Sequence, residues 1–364
     1  MPQPLVSILC PTYNRGPAIR STIASVLAQT ERSWELVVMS DASSDGTDAV
    51  VADMARSDQR IRLHRTRRYG FPSGPCNEGA AVARGSVHTY LAHDDHWEPD
   101  HLAVLLRALD SGAALAYTRA LRERPDGTAL GVTEELGQLW HPLLQLLNVV
   151  FEPVRAAWDP AAVAAVGGWR ESPDGLEDWD LWLRLADAGH RFAPVSAVTA
   201  RITEDAATRK HSLPCPYDVP LARFGDAGAA RRAWRALTDR RRTAGFLDAY
   251  RQDTRDLYTR LLDAGELATP SDWAVDAARI GRLIDAVVAA EGRVWESLRV
   301  GQTPDGWSLG SVVATQTQRH AVRIAVATGE HMPRLTALMA DAVGPDALDG
   351  DSVLGAAARH GATA

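Results

Sequence analysis

In its N-terminal third the chain repeatedly runs through a short apolar, β-branched segment, breaks into a polar cluster and continues into an amphipathic stretch. Leu5 to Pro11 is the first such run, Trp34 to Met39 (WELVVM) the second, IRLHR the third and Ser86 to Ala92 (SVHTYLA) the fourth. Helical spacing follows over Ile19 to Leu27, roughly Asp48 to Arg56, Asn77 to Arg84 and Glu98 to Leu109. Ser44, Asp45 or Thr47 would cap the second of these helices. Apolar runs without polar alternation are strands buried on both faces. Strand and helix alternating over short connections leave few folds open besides a mainly parallel sheet flanked by helices. Ligands of such sheets bind beyond the carboxyl ends of the strands. Three polar clusters fall at those ends: PTYNR, SDASSDGT and HDDH.

Farther on the pattern changes. ALAYTRALRERPDGTALGVT reads as two strands about an Asp126-Gly127 turn. GLEDWDLWLRLADAG reads as a helix whose opening acids suit the dipole and whose end is Gly189. Past Pro220 only long amphipathic helices are predicted. The 364 residues exceed one ordinary domain. The expected organisation is an α/β domain over residues 1–220 and an all-helical appendage over 221–364.

A net charge of −7 excludes the basic excess of a nucleic-acid binder. Cys10, Cys76 and Cys215 lie far apart with no C-x-x-C spacing, which argues against a disulfide framework or zinc knuckle and fits a reducing cytoplasm. MPQPLVSILCPTYN reads as a first strand rather than a signal peptide, and no apolar run approaches the roughly 18 residues of a membrane span. Eleven tryptophans are an unusual load, and most of them are expected in the core.

The strand ends supply the candidate chemistry. Asp94 and Asp95 present two carboxylates after a buried strand, a repulsion that a hard cation would neutralise; helix N-capping is the plainer role. Asp41 ends the second strand, where it could accept from a base N–H. Thr12 and Tyr13 face the same crevice, with Pro11 setting the turn. Glu177 and Asp178 open a helix, where one could deprotonate an acceptor hydroxyl or both could merely match the dipole.

Taken in order, VSILCPTYNR, WELVVMSDASSDGT, CNEGAAVARGSVHTYLAHDDHWEPDHL and GGWRESPDGLEDWDLWLRLADAG resemble the family 2 glycosyltransferases over about residues 4 to 203. The resemblance implies a Rossmann-like GT-A fold and inverting transfer from a nucleoside-diphosphate sugar, UDP- or TDP-linked, assisted by Mn²⁺ or Mg²⁺. It casts Asp41 as the base-reading aspartate and Thr12 as lying along the nucleoside. Asp95 matches the metal-binding aspartate, with Asp94 beside it, and Asp178 the general base, with Glu177 as its neighbour. Asn77 matches an asparagine of the nucleotide site. Members often carry an acid where this chain has Ala92, and an arginine where it has Cys76; Arg67 or Arg68 could substitute for the latter. Trp182, more than Trp179, would share the face of Asp178. The processive Q-x-x-R-W signature is absent, so one sugar per encounter is expected. His211 falls roughly where some relatives contact metal or diphosphate.

A sugar-phosphate nucleotidyltransferase would need a glycine-rich loop with lysine where PTYNRGP stands. A non-catalytic nucleotide-sugar binder would have no reason to keep Asp41, Asp95 and Asp178. The C-terminal helices would serve acceptor, partner or homo-oligomer contacts, and RRAWRALTDRRR at 231–242 either meets an anionic partner or is a solvated face with acids nearby. The acceptor would be a natural product, glycan or peptide, and the high Ala, Arg and Gly content resembles a high-GC bacterial protein.

Overall fold

A computed structural model describes residues 5–147, 151–171, 176–205, 219–290, 298–303, 306–311, 318–344, 347 and 352–355. The chain divides into two compact units: Met1–Gln145, Val149–Leu213 and Ala268–Trp273 form one, Leu146–Asn148, Pro214–Leu267 and Ala274–Ala364 the other.

The first unit follows the alternation legible in the sequence. In chain order its elements are β1 (Val6–Thr12), α1 (Ile19–Leu27), β2 (Trp34–Asp41), α2 (Thr47–Ser57), β3 (Ile61–Thr66), α3 (Ser73–Val82), β4 (Val87–Tyr90), β5 (His96–Trp97) and α4 (His101–Leu109). Then come β6 (Leu115–Glu123), β7 (Ala129–Val132), α5 (Pro142–Leu147), β8 (Ala156–Trp158), α6 (Pro160–Ala165), α7 (Glu177–Asp187) and β9 (Phe192–Thr203). The sheet order is β3-β2-β1-β4-β8-β6-β9-β5, with β7 paired to β6. The first four strands are mutually parallel, and beyond them the sheet is mixed: β8 runs antiparallel to both β4 and β6, and β9 is again parallel to β6.

Period-two alternation explains the unbroken apolar runs. Val6, Ile8 and Cys10 join Leu36 and Val38 on one face, against Ile19, Ile23 and Val26 of α1, Val51 of α2 and Leu102 of α4. Leu9, Val37 and Met39 point the other way, into a core with Cys76 of α3 and Leu181, Trp182 and Leu185 of α7. Both faces are covered, so every β1 and β2 residue is buried. Helix α3 begins at Ser73, ahead of the expected Asn77. Pro75 lies in the first turn, where a missing N–H breaks no helical bond, so the helix runs through it.

The second unit contains α8 (Ala227–Leu237), α9 (Arg240–Asp263), α10 (Ala277–Ala290), α11 (Gln318–His331) and α12 (Pro333–Val343). It also holds a three-stranded antiparallel sheet in the order β10 (Val219–Phe224), β12 (Gly306–Ser311), β11 (Leu298–Thr303). The expectation of an all-helical appendage is therefore corrected. The strands are six residues each, and glycines in LRVGQT and GWSLGS dilute the β-branched signal between longer helical stretches. Gly306 is needed there: its φ is +139° and a Cβ would meet the Phe224 carbonyl oxygen at 2.5 Å. Among the described residues no helix is long and apolar enough to cross a membrane.

Candidate functional site

The carboxyl ends of β1, β2 and β4 open into a cavity of about 390 Å³. Pro11, Thr12, Tyr13, Asp41, Asp94 and Asp95 all line it, together with Arg15, Arg68 and Tyr90. Register accounts for this meeting: Thr12 pairs with Ser40 one residue short of the end of β2, so the two strands finish level.

The first two strand-end turns are stitched together. The Arg15 and Gly16 amides both donate to Thr47 Oγ1 at 2.7 Å, and the Ser44 amide donates to Asn14 Oδ1 at 2.8 Å. Asp45 accepts from the Thr47 amide and hydroxyl, bonds that hold its carboxyl below the usual range. Asn14 (φ +48°) and Ala42 (φ +54°) are the non-glycine residues with left-handed backbone among those described, one at each turn. Strain of this kind collects at ligand sites, and for alanine it has no side-chain compensation.

Asp41, 4% exposed, accepts from the amides of Tyr69 (2.6 Å) and Gly70 (2.9 Å) and pairs with the Arg68 guanidinium. That guanidinium also lies over the Tyr13 ring, 3.5 Å from its centroid. Thr12, 2% exposed, has a hydroxyl oxygen that finds no hydrogen-bond partner among the described residues. An orphaned buried hydroxyl in a cavity wall is a group that a ligand can satisfy.

At the end of β4, Asp95 is 6% exposed, and its Oδ1 accepts from the Thr203 amide at 2.9 Å. The Thr203 hydroxyl donates to the Asp94 carbonyl at 2.6 Å, so the last residue of β9 clips the acidic pair in place. Arg15 approaches the Asp94 carboxylate to 3.6 Å. Burial pushes His93 well below its ordinary value, so it stays neutral beside Asp94. No group of three or more His, Cys, Asp and Glu suited to a metal occurs among the described residues. Two adjacent carboxylates nevertheless fit Mg²⁺ or Mn²⁺, hard cations that take one or two protein carboxylates and draw further oxygens from substrate phosphates and water.

A second cavity of about 210 Å³ shares Pro72, Tyr90, Ala92, Asp95 and Ile202 with the first. Its other walls include Glu152, Trp169, Glu177 and Asp178. Burial, and secondarily Cys76 and nearby carboxylates, raise the Tyr90 phenol well above its ordinary value, so both cavities face a protonated hydroxyl. Burial pushes the Glu152 carboxyl up, but Arg155 and Arg122 outweigh it and hold that group below the usual range.

Asp95 thus belongs to both cavities, with the strand-end residues on one side and Glu177 and Asp178 on the other. Asn77 lines neither. Its amide spans the backbone of Trp169, donating to the carbonyl (2.7 Å) and accepting from the N–H (3.0 Å). It braces the tryptophan that walls the second cavity. Trp182 is fully buried among Trp158, Trp169 and Phe151, and Trp179 donates to the Gln145 carbonyl, so both serve the interior. His211 lies outside the described residues. Tyr90, Glu152 and Thr203 escaped sequence reasoning because each sits in an ordinary strand or loop without a motif. Arg68 was visible only as a stand-in for the arginine missing at Cys76.

Residues 7–152 match the family model described as Glycosyl transferase family 2. The O-antigen biosynthesis protein RfbC of Myxococcus xanthus is 30% identical over 202 residues, 53% of this chain and 16% of that protein. The GalNAc(5)-diNAcBac-PP-undecaprenol beta-1,3-glucosyltransferase of Campylobacter jejuni is 31% identical over 122 residues, 33% of this chain and 40% of that protein. The chain spans less than two thirds of the length of each of these curated relatives. In three dimensions it is similar to S. aureus TarS 1-349 in complex with UDP-GlcNAc, with a TM-score of 0.50 and 14% identity, over 98% of this chain and 92% of that one. At that identity the likeness is one of fold.

Proposed function

We propose that the α/β unit, whose residues 7–152 match the Glycosyl transferase family 2 model, moves one sugar from a nucleoside-diphosphate sugar, UDP- or TDP-linked, to an acceptor hydroxyl or other nucleophile, with inversion and with Mn²⁺ or Mg²⁺. The carrying observation is the position of Asp95 on the wall common to two cavities. The first offers Thr12, Tyr13 and Asp41 to a nucleoside, and Arg15, Asp94 and Asp95 to a diphosphate with its cation. The second, lined by Asp95, Glu177 and Asp178, would receive the acceptor.

Asp178 takes the proton of the acceptor hydroxyl as its oxygen attacks the anomeric carbon from the face opposite the diphosphate. The bond from that carbon to the diphosphate oxygen breaks, and the leaving nucleotide carries away the electron pair. A bound divalent cation would supply Lewis-acid stabilisation of this charge. The crystallised complex of TarS with UDP-GlcNAc supports a uridine donor. Asn77 acts here through Trp169 rather than on the nucleotide. The free, buried thiols of Cys10 and Cys76 support a reducing, cytoplasmic setting. The second unit is left to acceptor, partner or self contacts.

Thermal-shift titration with UDP-, TDP- and GDP-sugars, with and without Mn²⁺, tests donor and cation together. A metal-dependent shift with a UDP- or TDP-sugar is expected. Asp95→Ala should lose that shift and transfer, whereas Asp178→Asn should lose transfer alone. Wild-type transfer by either variant overturns the role assigned to that residue.

A further inference from the structure

Helix α8 buries Ala229, Ala230, Ala233 and Leu237, and turns Arg231, Trp234 and Arg235 outward at i, i+3 and i+4. Directly after it, the first turn of α9 exposes Arg240, Arg241 and Arg242. Three arginines elsewhere in this unit are matched with acids: Arg251 with Asp248 and Asp285, Arg255 with Asp285, Arg334 with Asp253 and Asp256. Arg231, Arg235, Arg240, Arg241 and Arg242 make no ion pair among the described residues. The acid between them, Asp239, is the N-cap of α9 and accepts from the Arg241 amide at 2.9 Å.

Three features separate this patch from an ordinary solvated helix face. The charge is local, since the whole chain carries −7. Three of the arginines stand at a helix N-terminus, where the dipole disfavours cations, so helix stability does not explain them. Trp234, a large apolar ring three residues after Arg231 and next to Arg235 on α8, remains 38% exposed. Guanidinium groups spread along two successive helix ends match a plane of many phosphates, and an indole among them matches the interfacial zone of a bilayer.

We propose that the Arg231, Trp234, Arg235 and Arg240–Arg242 face docks on an anionic lipid bilayer. The arginines meet headgroup phosphates and Trp234 enters the headgroup layer. The contact is peripheral and is made by the second unit.

Sedimentation of the full chain with phosphatidylcholine vesicles, with or without phosphatidylglycerol, tests this. Binding is expected only with phosphatidylglycerol, and it should weaken as NaCl is raised. Joint substitution of Arg240→Gln, Arg241→Gln and Arg242→Gln should lower partitioning roughly a hundredfold, about fivefold per arginine. Trp234→Ala should weaken binding without removing its salt dependence. Should the triple variant fail to fold by circular dichroism, Arg231→Gln with Arg235→Gln makes the same test at exposed positions on α8. Equal binding to both vesicle types, unchanged binding by the arginine variants, or capture by heparin or DNA without vesicle binding overturns the proposal. None of these outcomes depends on sugar transfer.

Discussion

Replacing Asp41 with asparagine removes one charge at the floor of the first cavity and changes little else in shape. The native carboxylate faces donors alone: the Tyr69 amide at 2.6 Å, the Gly70 amide at 2.9 Å and the Arg68 guanidinium. An amide nitrogen cannot accept, so asparagine can serve the Tyr69 N–H through its oxygen but turns an NH₂ group toward Gly70 and Arg68. A buried donor left without an acceptor costs about 1–3 kcal/mol. The Arg68 side chain is 43% exposed, so losing its pair adds only about 1 kcal/mol after solvent screening. Asp41→Asn should therefore destabilise the folded chain by roughly 2–4 kcal/mol, read from urea denaturation followed by indole fluorescence. Arg68→Ala alone should cost about 1 kcal/mol and should cost less in the Asp41→Asn background, where it removes a donor facing a donor. A variant within about 0.5 kcal/mol of wild type, or strict additivity in the cycle, would refute the view that Asp41 anchors the loop over Tyr13. Nucleotide titration of the same proteins should show weaker binding in Asp41→Asn.

Thr203→Val removes the hydroxyl that holds the Asp94 carbonyl while keeping the amide on Asp95. It should weaken Mn²⁺ binding in the presence of UDP at least about tenfold, as losses around metal-ligand carboxylates commonly do; electron paramagnetic titration of free Mn²⁺ would read this, and unchanged affinity would remove the clip from the account. Ala42→Gly relieves a left-handed backbone and should stabilise the chain by about 1 kcal/mol in urea, with destabilisation as the contrary result. Burial pushes His101 from 6.5 down to about 3, with Nδ1 within 2.7 Å of Thr199 Oγ1 and the ring stacked on Trp97. Below pH 6.5 the unfolded chain gains a proton that the folded chain refuses, so this contribution is complete above that pH and declines toward pH 3. By pH 5 the loss is about 2 kcal/mol, and a urea midpoint unchanged between pH 7.5 and 5 would contradict it.

The pattern of residues along the chain already determined the strand–helix alternation and the convergence of PTYNR, SDASSDGT and HDDH. Both follow from local rules: apolar runs form strands, and parallel strands put successive carboxyl ends along one edge of a sheet. Acids at the head of α7 were legible for the same reason. Tertiary structure alone decided which neighbour each polar group would meet. It brought Asp178 to the wall of a cavity that Asp95 also lines, laid Arg68 over Tyr13, set Thr203 on the acidic pair, and turned Asn77 toward the backbone of Trp169. It also paired the glycine-bearing strands β11 and β12 with β10, where helices alone had been expected. Contacts between segments far apart in the chain leave no periodic trace in either of them, because hydrogen bonds and packing are settled by competition among all the partners that folding brings within reach.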